Sequence, residues 1–561
     1  MSAQKIILPS GTRIEFWARS KTHGIQTFSI VTGDQTLFAT PNMSKNWEYY
    51  EYRHREDSTV TVHWDEMNLE VSFAYVYQVD TVNQLGVELW QFGEKEISRL
   101  RGDALATFIS SDQTRPQLHF SPPLRWMNDP NGLCKIADTW HMFYQFHPNG
   151  TDWGPMHWGH ATSKDLFNWT HLPVFLQPAQ NLTRLGATGG AFSGNAFRDR
   201  DGSLSFYYTE RLPAYDLFKG YREVQKRAWP DANLIKANQI SDVLEDRPAG
   251  VQHDFRDPKV WWDETARAYR MVLGASINQD PAVLLYGSAD GQNWSYLSPL
   301  YRAPSGFKME GARAVECPDF FPLDGKWVLI MGFVGHTEPE TGRHNLLYAL
   351  VGDFINDEFV PTGDELQLLD FGTDYYAMQS FEADGRQLAF AWLFNWEFRK
   401  PGTIQYSGEM SLPRELFLDD RKQLCMKPAQ EFETACSAVP LNASVDGTFA
   451  IDDEAFEIDL SENLEGTLIT ATQADNFSFS VSVKNGVVEI KLPQDDGKIK
   501  YSAAVAGAND LRLFHDRGII EIFAAGGAVC GTRRNYTNIA PDRFRVVSQA
   551  GINVFARKLK N

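Results

Sequence analysis

The chain has 561 residues, of which 43% are hydrophobic and 22% charged, and a net charge of −19. That length exceeds one ordinary core and implies about two to four domains. The acidic balance argues against nucleic acid and anionic membrane as partners and fits a neutral substrate.

From the N-terminus, Met1-Ser2-Ala3-Gln4-Lys5-Ile6-Ile7-Leu8-Pro9 lacks the apolar core and cleavage site of a signal peptide. Residues 1–112 hold strand-like runs at Thr12–Trp17, Thr59–Trp64 and Leu69–Tyr77 and are expected to form a β-rich accessory domain. It is expected to pack on the next domain or to make a subunit contact in a homo-oligomer. Trp17, Trp47, Tyr49, Tyr50 and Tyr52 are expected to be exposed, which leaves a binding role open. The polar stretch Ser110-Ser111-Asp112-Gln113-Thr114 reads as a linker.

Next comes Trp126-Met127-Asn128-Asp129-Pro130-Asn131-Gly132. Pro fixes φ and Gly accepts positive φ, so Asn-Asp-Pro-Asn-Gly predicts a tight turn that holds Asp129 outward. Ten aromatics lie between Phe120 and Trp169, and aromatic rings beside fixed carboxylates suit a sugar site. Two further carboxylates stand in distinctive settings, Asp257 in Phe255-Arg256-Asp257-Pro258-Lys259 and Glu316 in Val315-Glu316-Cys317-Pro318-Asp319-Phe320. Asp-Gly at 201–202, 290–291, 324–325, 384–385, 446–447 and 496–497, with Asn485-Gly486, predicts hairpins between short strands. Long helical periodicity is nearly absent, so the chain is all-β, and its pattern alone leaves sandwich, barrel and propeller open.

The three boxes, in this order, resemble glycoside hydrolase family 32, the invertases, sucrose-6-phosphate hydrolases and fructanases. Phe143-Tyr144-Gln145, Trp153-Gly154-Pro155-Met156-His157-Trp158-Gly159-His160, Phe192-Ser193-Gly194 and Asp370-Phe371-Gly372-Thr373-Asp374-Tyr375-Tyr376-Ala377 extend the resemblance over roughly residues 114 to 561. It implies a five-bladed β-propeller, placed here at 113–425, followed by a β-sandwich at 432–561. It also implies that Asp129 is a nucleophile, Glu316 a general acid/base and Asp257 a stabiliser of the fructosyl transition state. Asn128, Gln145, Trp153, Phe192, Ser193, Tyr376 and Trp392 match positions that line the fructose pocket, with Trp396 and Asp374 as weaker candidates. Arg256 is expected to keep Asp257 ionised. Val315 and Ala391 depart from the family pattern beside the Glu-Cys and Trp392 positions.

Glycoside cleavage needs one carboxyl group to protonate the leaving oxygen and a second to attack the anomeric carbon or activate water. The expected activity is that of a retaining β-fructofuranosidase on sucrose or short fructo-oligosaccharides, without cofactor. Fructosyl transfer and hydrolysis of sucrose-6-phosphate use the same residues, although no basic patch for a phosphate is evident in the sequence. A degenerate, non-catalytic carbohydrate-binding propeller is the rival from another class, and retention of all three carboxylates argues against it. His157 and His160, an i,i+3 pair on a strand, face opposite sides, so no metal site is expected. Five scattered cysteines fit free thiols in a reducing compartment and hence a cytoplasmic protein.

Overall fold

The computed structural model describes residues 2–22, 28–214, 220–251, 254–394, 396, 400, 405–452 and 455–560. Among these residues the strands form nine sheets. Two sheets near the N-terminus pair Ser2–Leu8, Ser58–Trp64, Ser29–Thr32 and Gln35–Ala39 in one, and Glu48–Arg53, Thr12–Ser20, Leu69–Gln78, Glu88–Phe92 and Ile97–Leu100 in the other. Their facing side chains, including Ile14, Phe16, Phe28, Val60, Val62 and Trp90, form one apolar cluster.

Five sheets of the middle region are the blades of a propeller. The first strands of blades I to V are Arg125–Ile136, Gly190–Arg198, Arg256–Asp263, Ala314–Leu323 and Tyr376–Ala383. These strands contact one another in a closed ring, V against I included. Polar side chains tie neighbours together. Asn195 of blade II accepts from Val260 N at 3.1 Å in blade III, and Lys259 of blade III reaches Asp319 of blade IV at 2.7 Å and the Ser380 carbonyl of blade V at 2.6 Å. The short strand Tyr406–Ser407 runs parallel to Arg125–Trp126 and lies on the inner edge of blade I. Two six-stranded sheets follow as a sandwich around Phe456, Ile458, Phe479, Val481, Ile520, Ile522 and Phe544.

A buried polar seam joins the sandwich to the propeller. His119 contacts Asp516 at 2.8 Å and Glu521 at 3.1 Å, and Arg414 donates to Glu521 at 2.7 Å. Arg534 donates to Glu409 at 2.9 Å.

Three sequence expectations are corrected here. Ser110 and Ser111 end a helix, Asp103–Ser111, rather than opening a linker. The N-terminal aromatics are not exposed: Trp17, Tyr50 and Tyr52 are buried, and Trp47 and Tyr49 pack against a core cluster that spans the N-terminal sheets and the propeller. Trp17 meets His157 of blade I edge-on at 5.8 Å. Strand alternation separates the two faces of a sheet, but it does not tell a face covered by another domain from one covered by water. Of the Gly dipeptides, Asp324-Gly325, Asp384-Gly385 and Asn485-Gly486 are two-residue hairpin turns with both φ positive. Asp201-Gly202, Asp290-Gly291 and Asp496-Gly497 sit in longer loops between paired strands, and Asp446-Gly447 lies in a loop outside such a hairpin.

Candidate active site

Each inner strand breaks its pairing register at one common level. The breaks fall between Met127 and Pro130, Ala191 and Gly194, Arg256 and Lys259, Glu316 and Asp319, and Tyr376 and Gln379. A β-bulge re-aims side chains and increases local twist. The bulged pairs are Asn128-Asp129, Phe192-Ser193, Asp257-Pro258, Cys317-Pro318 and Ala377-Met378. Asp257, Cys317 and Ala377 adopt positive φ of 64°, 47° and 50°, costly conformations for non-glycine residues and concentrated at functional sites. Pro258 and Pro318 occupy bulge positions, where the missing N–H costs no ladder bond.

Asn-Asp-Pro-Asn-Gly is therefore not a turn. It lies within the strand Arg125–Ile136, with Pro130 opposite Tyr144 and Asn131 opposite Phe143. A second irregularity follows at Gly132, which has φ 53°. A Cβ there would approach the rings of Phe143 and Trp158 to 3.0 Å, so the glycine serves close packing beneath the bulge.

The bulges converge on a cavity of about 200 Å³. Its wall includes Asn128, Asp129, Gln145, Trp153, Phe192, Arg256, Asp257, Glu316, Tyr376, Trp392 and Trp396. Ser193 joins them through its hydrogen bonds, so twelve candidate residues come together. Asp374 does not. It accepts from Arg534 N at 2.7 Å and belongs to the seam with the sandwich.

Asp129 is held on both oxygens. Asn128 Nδ2 donates to Oδ1 at 3.0 Å, while Ser193 Oγ at 2.5 Å and Gln145 Nε2 at 3.1 Å donate to Oδ2. Trp126 Nε1 fixes Asn128 Oδ1 at 2.8 Å. Burial raises the Asp129 pKa, opposed by the bonds from Ser193 and Asn128, and the Glu316 charge raises it further. Asp257 accepts from Cys317 N at 2.9 Å, and its own N donates to Thr209 Oγ1 at 2.9 Å. Burial pushes the Asp257 carboxyl up to about 7, with Arg256 opposing and Glu316 adding to the rise.

Arg256 acts in the expected direction on Asp257 but from a distance. Its guanidinium contacts Glu316 Oε1 at 2.6 Å, Asp254 at 2.5 Å and Glu223 at 3.1 Å, whereas Asp257 lies 3.8 Å from Nε. The fork is taken up by three other carboxylates, so burial prevails at Asp257. Tyr376 OH donates to the other Glu316 oxygen at 3.0 Å.

Four contributors stand outside the candidates taken from the boxes. Arg211 and Arg313 line the cavity, Arg211 with its guanidinium 3.4 Å above the Tyr221 ring. Glu223, fully buried, accepts from Phe255 N at 2.7 Å and from Arg256. Cys317 Sγ lies 3.7 Å from Asp129 and 3.6 Å from Asp257, between the two carboxylates. The Glu-Cys box signals the cysteine, but nothing in the sequence signals the others. His157 and His160 stay outside the cavity. His157 Nδ1 contacts the Pro155 carbonyl at 2.9 Å, and His160 Nε2 contacts His141 Nδ1 at 3.1 Å.

Comparison with known proteins places this geometry. Residues 119–428 match the model of the glycosyl hydrolases family 32 N-terminal domain, and 443–560 match that of the family 32 C terminal. A sucrose-6-phosphate hydrolase of Zymomonas mobilis is 33% identical over 467 residues, 78% of this chain and 88% of that protein. A levanase of Bacillus subtilis is 30% identical over 510 residues, covering 81% and 70%. The fold of a glycoside hydrolase family 32 protein from Bifidobacterium adolescentis superposes over the whole of both chains, with a TM-score of 0.88 at 24% identity. A β-fructofuranosidase of Bombyx mori covers 82% of this chain and 98% of its own, with a TM-score of 0.67 at 27% identity.

Proposed function

The chain belongs to glycoside hydrolase family 32 and is a fructofuranosidase-type hydrolase; from that we propose that it cleaves sucrose or short fructo-oligosaccharides with retention at fructose. The observation that carries the reading is the wiring of three carboxylates into one cavity. Cys317 touches Asp129 and Asp257, and Arg256 touches Glu316 and lies 3.8 Å from Asp257.

In this reading an Asp129 oxygen attacks the anomeric carbon of fructose. The carbon–oxygen bond to the leaving sugar breaks, and its electron pair takes a proton from Glu316. Glu316, now a carboxylate, removes a proton from water. The water oxygen displaces Asp129 and releases fructose. Asn128, Gln145 and Ser193 hold Asp129 in one rotamer, so the attack costs little reorganisation. Asp257 faces the sugar hydroxyls, and Trp153, Phe192 and Trp392 wall the ring. No step requires a metal or organic cofactor.

A second reading, sucrose-6-phosphate as substrate, is favoured by Arg211 in the cavity wall, a basic element invisible in the sequence. The five free cysteines support a reducing, cytoplasmic setting. The deciding experiment is product analysis with sucrose, sucrose-6-phosphate, inulin and levan, with the anomer first released read by NMR. Release of β-fructose from sucrose supports the reading. First release of the inverted anomer, or no turnover of any fructoside, overturns it.

A further inference from the structure

The candidate acid is bonded to an arginine, which works against its task. Arg256 Nη2 donates to Glu316 Oε1 at 2.6 Å, and Tyr376 OH donates to the other oxygen at 3.0 Å. Both donors favour the charged carboxylate. An acid must instead carry a proton when the leaving oxygen departs. The neighbouring Asp129 and Asp257 carboxylates oppose a charge on Glu316. Asp129, however, gives up its charge in the attack, so it is not a constant counterweight.

Two carboxylates outside the cavity wall supply one. Glu223, on the blade II strand Tyr221–Pro230, is fully buried and accepts from Arg256 Nη1 at 3.1 Å. Asp254, just before the inner strand of blade III, is buried and accepts from the same nitrogen at 2.5 Å. One guanidinium nitrogen thus serves two carboxylates while its neighbour serves Glu316. A negative charge beside the guanidinium reduces its field at Glu316.

Among the described residues, the other charged groups facing this pair are Arg313, 3.0 Å from Asp254 and exposed, Arg247, 3.8 Å from Glu223, and Arg211, opposite Glu223 in the sheet. Tyr221 and Cys317 are further titratable neighbours, Tyr221 beside Glu223 and Asp254, Cys317 beside Glu316. Burial would raise the Asp254 carboxyl, but Arg256 and Arg313 more than reverse this and hold it below the usual carboxylate range.

The backbone fixes the same arrangement. Glu223 Oε2 accepts from Phe255 N at 2.7 Å, and Asp254 has φ 57°. Positive φ is costly outside glycine, least so for Asn and Asp. The bond to Phe255 N pins the kinked segment that presents both Asp254 and Arg256.

We propose that Glu223 and Asp254 are positioning residues for the acid step: by dividing the Arg256 guanidinium between them, they leave Glu316 able to keep its proton until the leaving oxygen takes it. The proposal rests on the reading of Glu316 as the acid.

The test is a pH series of kcat/KM on sucrose and on a fructoside with a good leaving group, for the wild type, Glu223→Gln and Asp254→Asn. Gln matches Glu in shape and keeps an acceptor for Phe255 N, and Asn tolerates positive φ. On sucrose the rate falls on the alkaline side as the acid loses its proton. Removal of one buried negative charge moves that limb to lower pH by roughly one unit in either variant, so the rate beyond it drops about tenfold. The good leaving group departs with little protonation, and its rates change far less. A limb that stays in place, or equal losses on both substrates, marks a merely structural role and overturns the proposal. Should Glu223→Gln fail to fold, Asp254→Asn decides on the same criterion. A wild-type alkaline limb shared by both substrates overturns the acid reading of Glu316 itself, and this proposal with it.

Discussion

Ser193 of blade II donates its hydroxyl to Asp129 Oδ2 of blade I at 2.5 Å, so the candidate nucleophile is held by a neighbouring blade as well as its own. That bond lowers the Asp129 pKa against the dominant effect of burial. Ser193→Ala removes it, and the pKa rises further. The acidic limb of the kcat/KM profile then moves to higher pH. A hydrogen bond to a charged group is worth about 1.5–3 kcal/mol, so the rate at the optimum falls by roughly 10- to 100-fold. A pH–rate series on sucrose checks both; a limb that stays in place would remove Ser193 from this role.

Asp129→Asn abolishes turnover, since an amide cannot supply the covalent step. The fold persists. The amide keeps an acceptor for Ser193 and relieves the cost of burying a charge, so the melting temperature does not fall. Calorimetry beside an assay free of host invertase reads both outcomes. Wild-type turnover would sink the nucleophile assignment.

Glu316→Ala slows sucrose cleavage by several orders of magnitude but acts far less on a fructoside with a good leaving group, which departs with little protonation. Parallel rate measurements on the two substrates make the comparison. Equal losses would count against an acid/base role.

His119 gives the stability a pH dependence. Burial alone would lower its pKa, but the bonds to Asp516 and Glu521 more than reverse this and bring it to about 9, above the ordinary 6.5. A raised pKa means that the folded state holds the proton more tightly than the unfolded one. The resulting stabilisation is complete below pH 6.5 and is lost as pH rises through 9. Thermal unfolding across pH 6 to about 9.5 is expected to show this decline, and His119→Gln to flatten it.

The N-terminal sheets are expected to be needed for stability. Trp17 is fully buried at the contact with blade I, Ser72 donates to the Pro148 carbonyl at 2.5 Å, and Lys236 of the propeller reaches Glu15 at 2.7 Å and Glu51 at 2.8 Å. A chain starting at Gln113 exposes this face and loses solubility. Trp17→Ala costs about 3–5 kcal/mol in stability. Melting curves and size-exclusion profiles test both; a soluble, monodisperse truncation with unchanged melting would refute the dependence.

The chemistry of the site is legible because its carriers are unusual residues in unusual neighbourhoods. Asp129, Asp257 and Glu316 each sit beside prolines, amides or a cysteine that mark the strand. The geometry is less legible. Asn-Asp-Pro-Asn-Gly has turn composition but runs as a bulged strand, because Tyr144 and Phe143 pair with Pro130 and Asn131 across the sheet. Pairing of that kind depends on residues a dozen positions away. Glu223, Thr209, Arg211 and Arg313 carry no local signal, since they act from a strand or loop outside the boxes. The Asp370–Asp374 segment is conspicuous in sequence, yet its carboxylates face Thr532 and the Arg533–Arg534 pair of the sandwich.

The common bulge level has a consequence for how the molecule can change over generations. Each wall of the cavity is anchored in a different blade and inherits its position from the closure of the ring, not from the chain segment before it. The rim of one blade can therefore be exchanged while the bulges, with Ser193 and Tyr376 against the acids, keep their places. Blades I, III and IV carry the three acids, while the rims of blades II and V are free to vary in length and polarity. Substrate choice can drift one blade at a time with the reacting carboxylates left undisturbed, like an arch in which a single stone is recut and the span still stands.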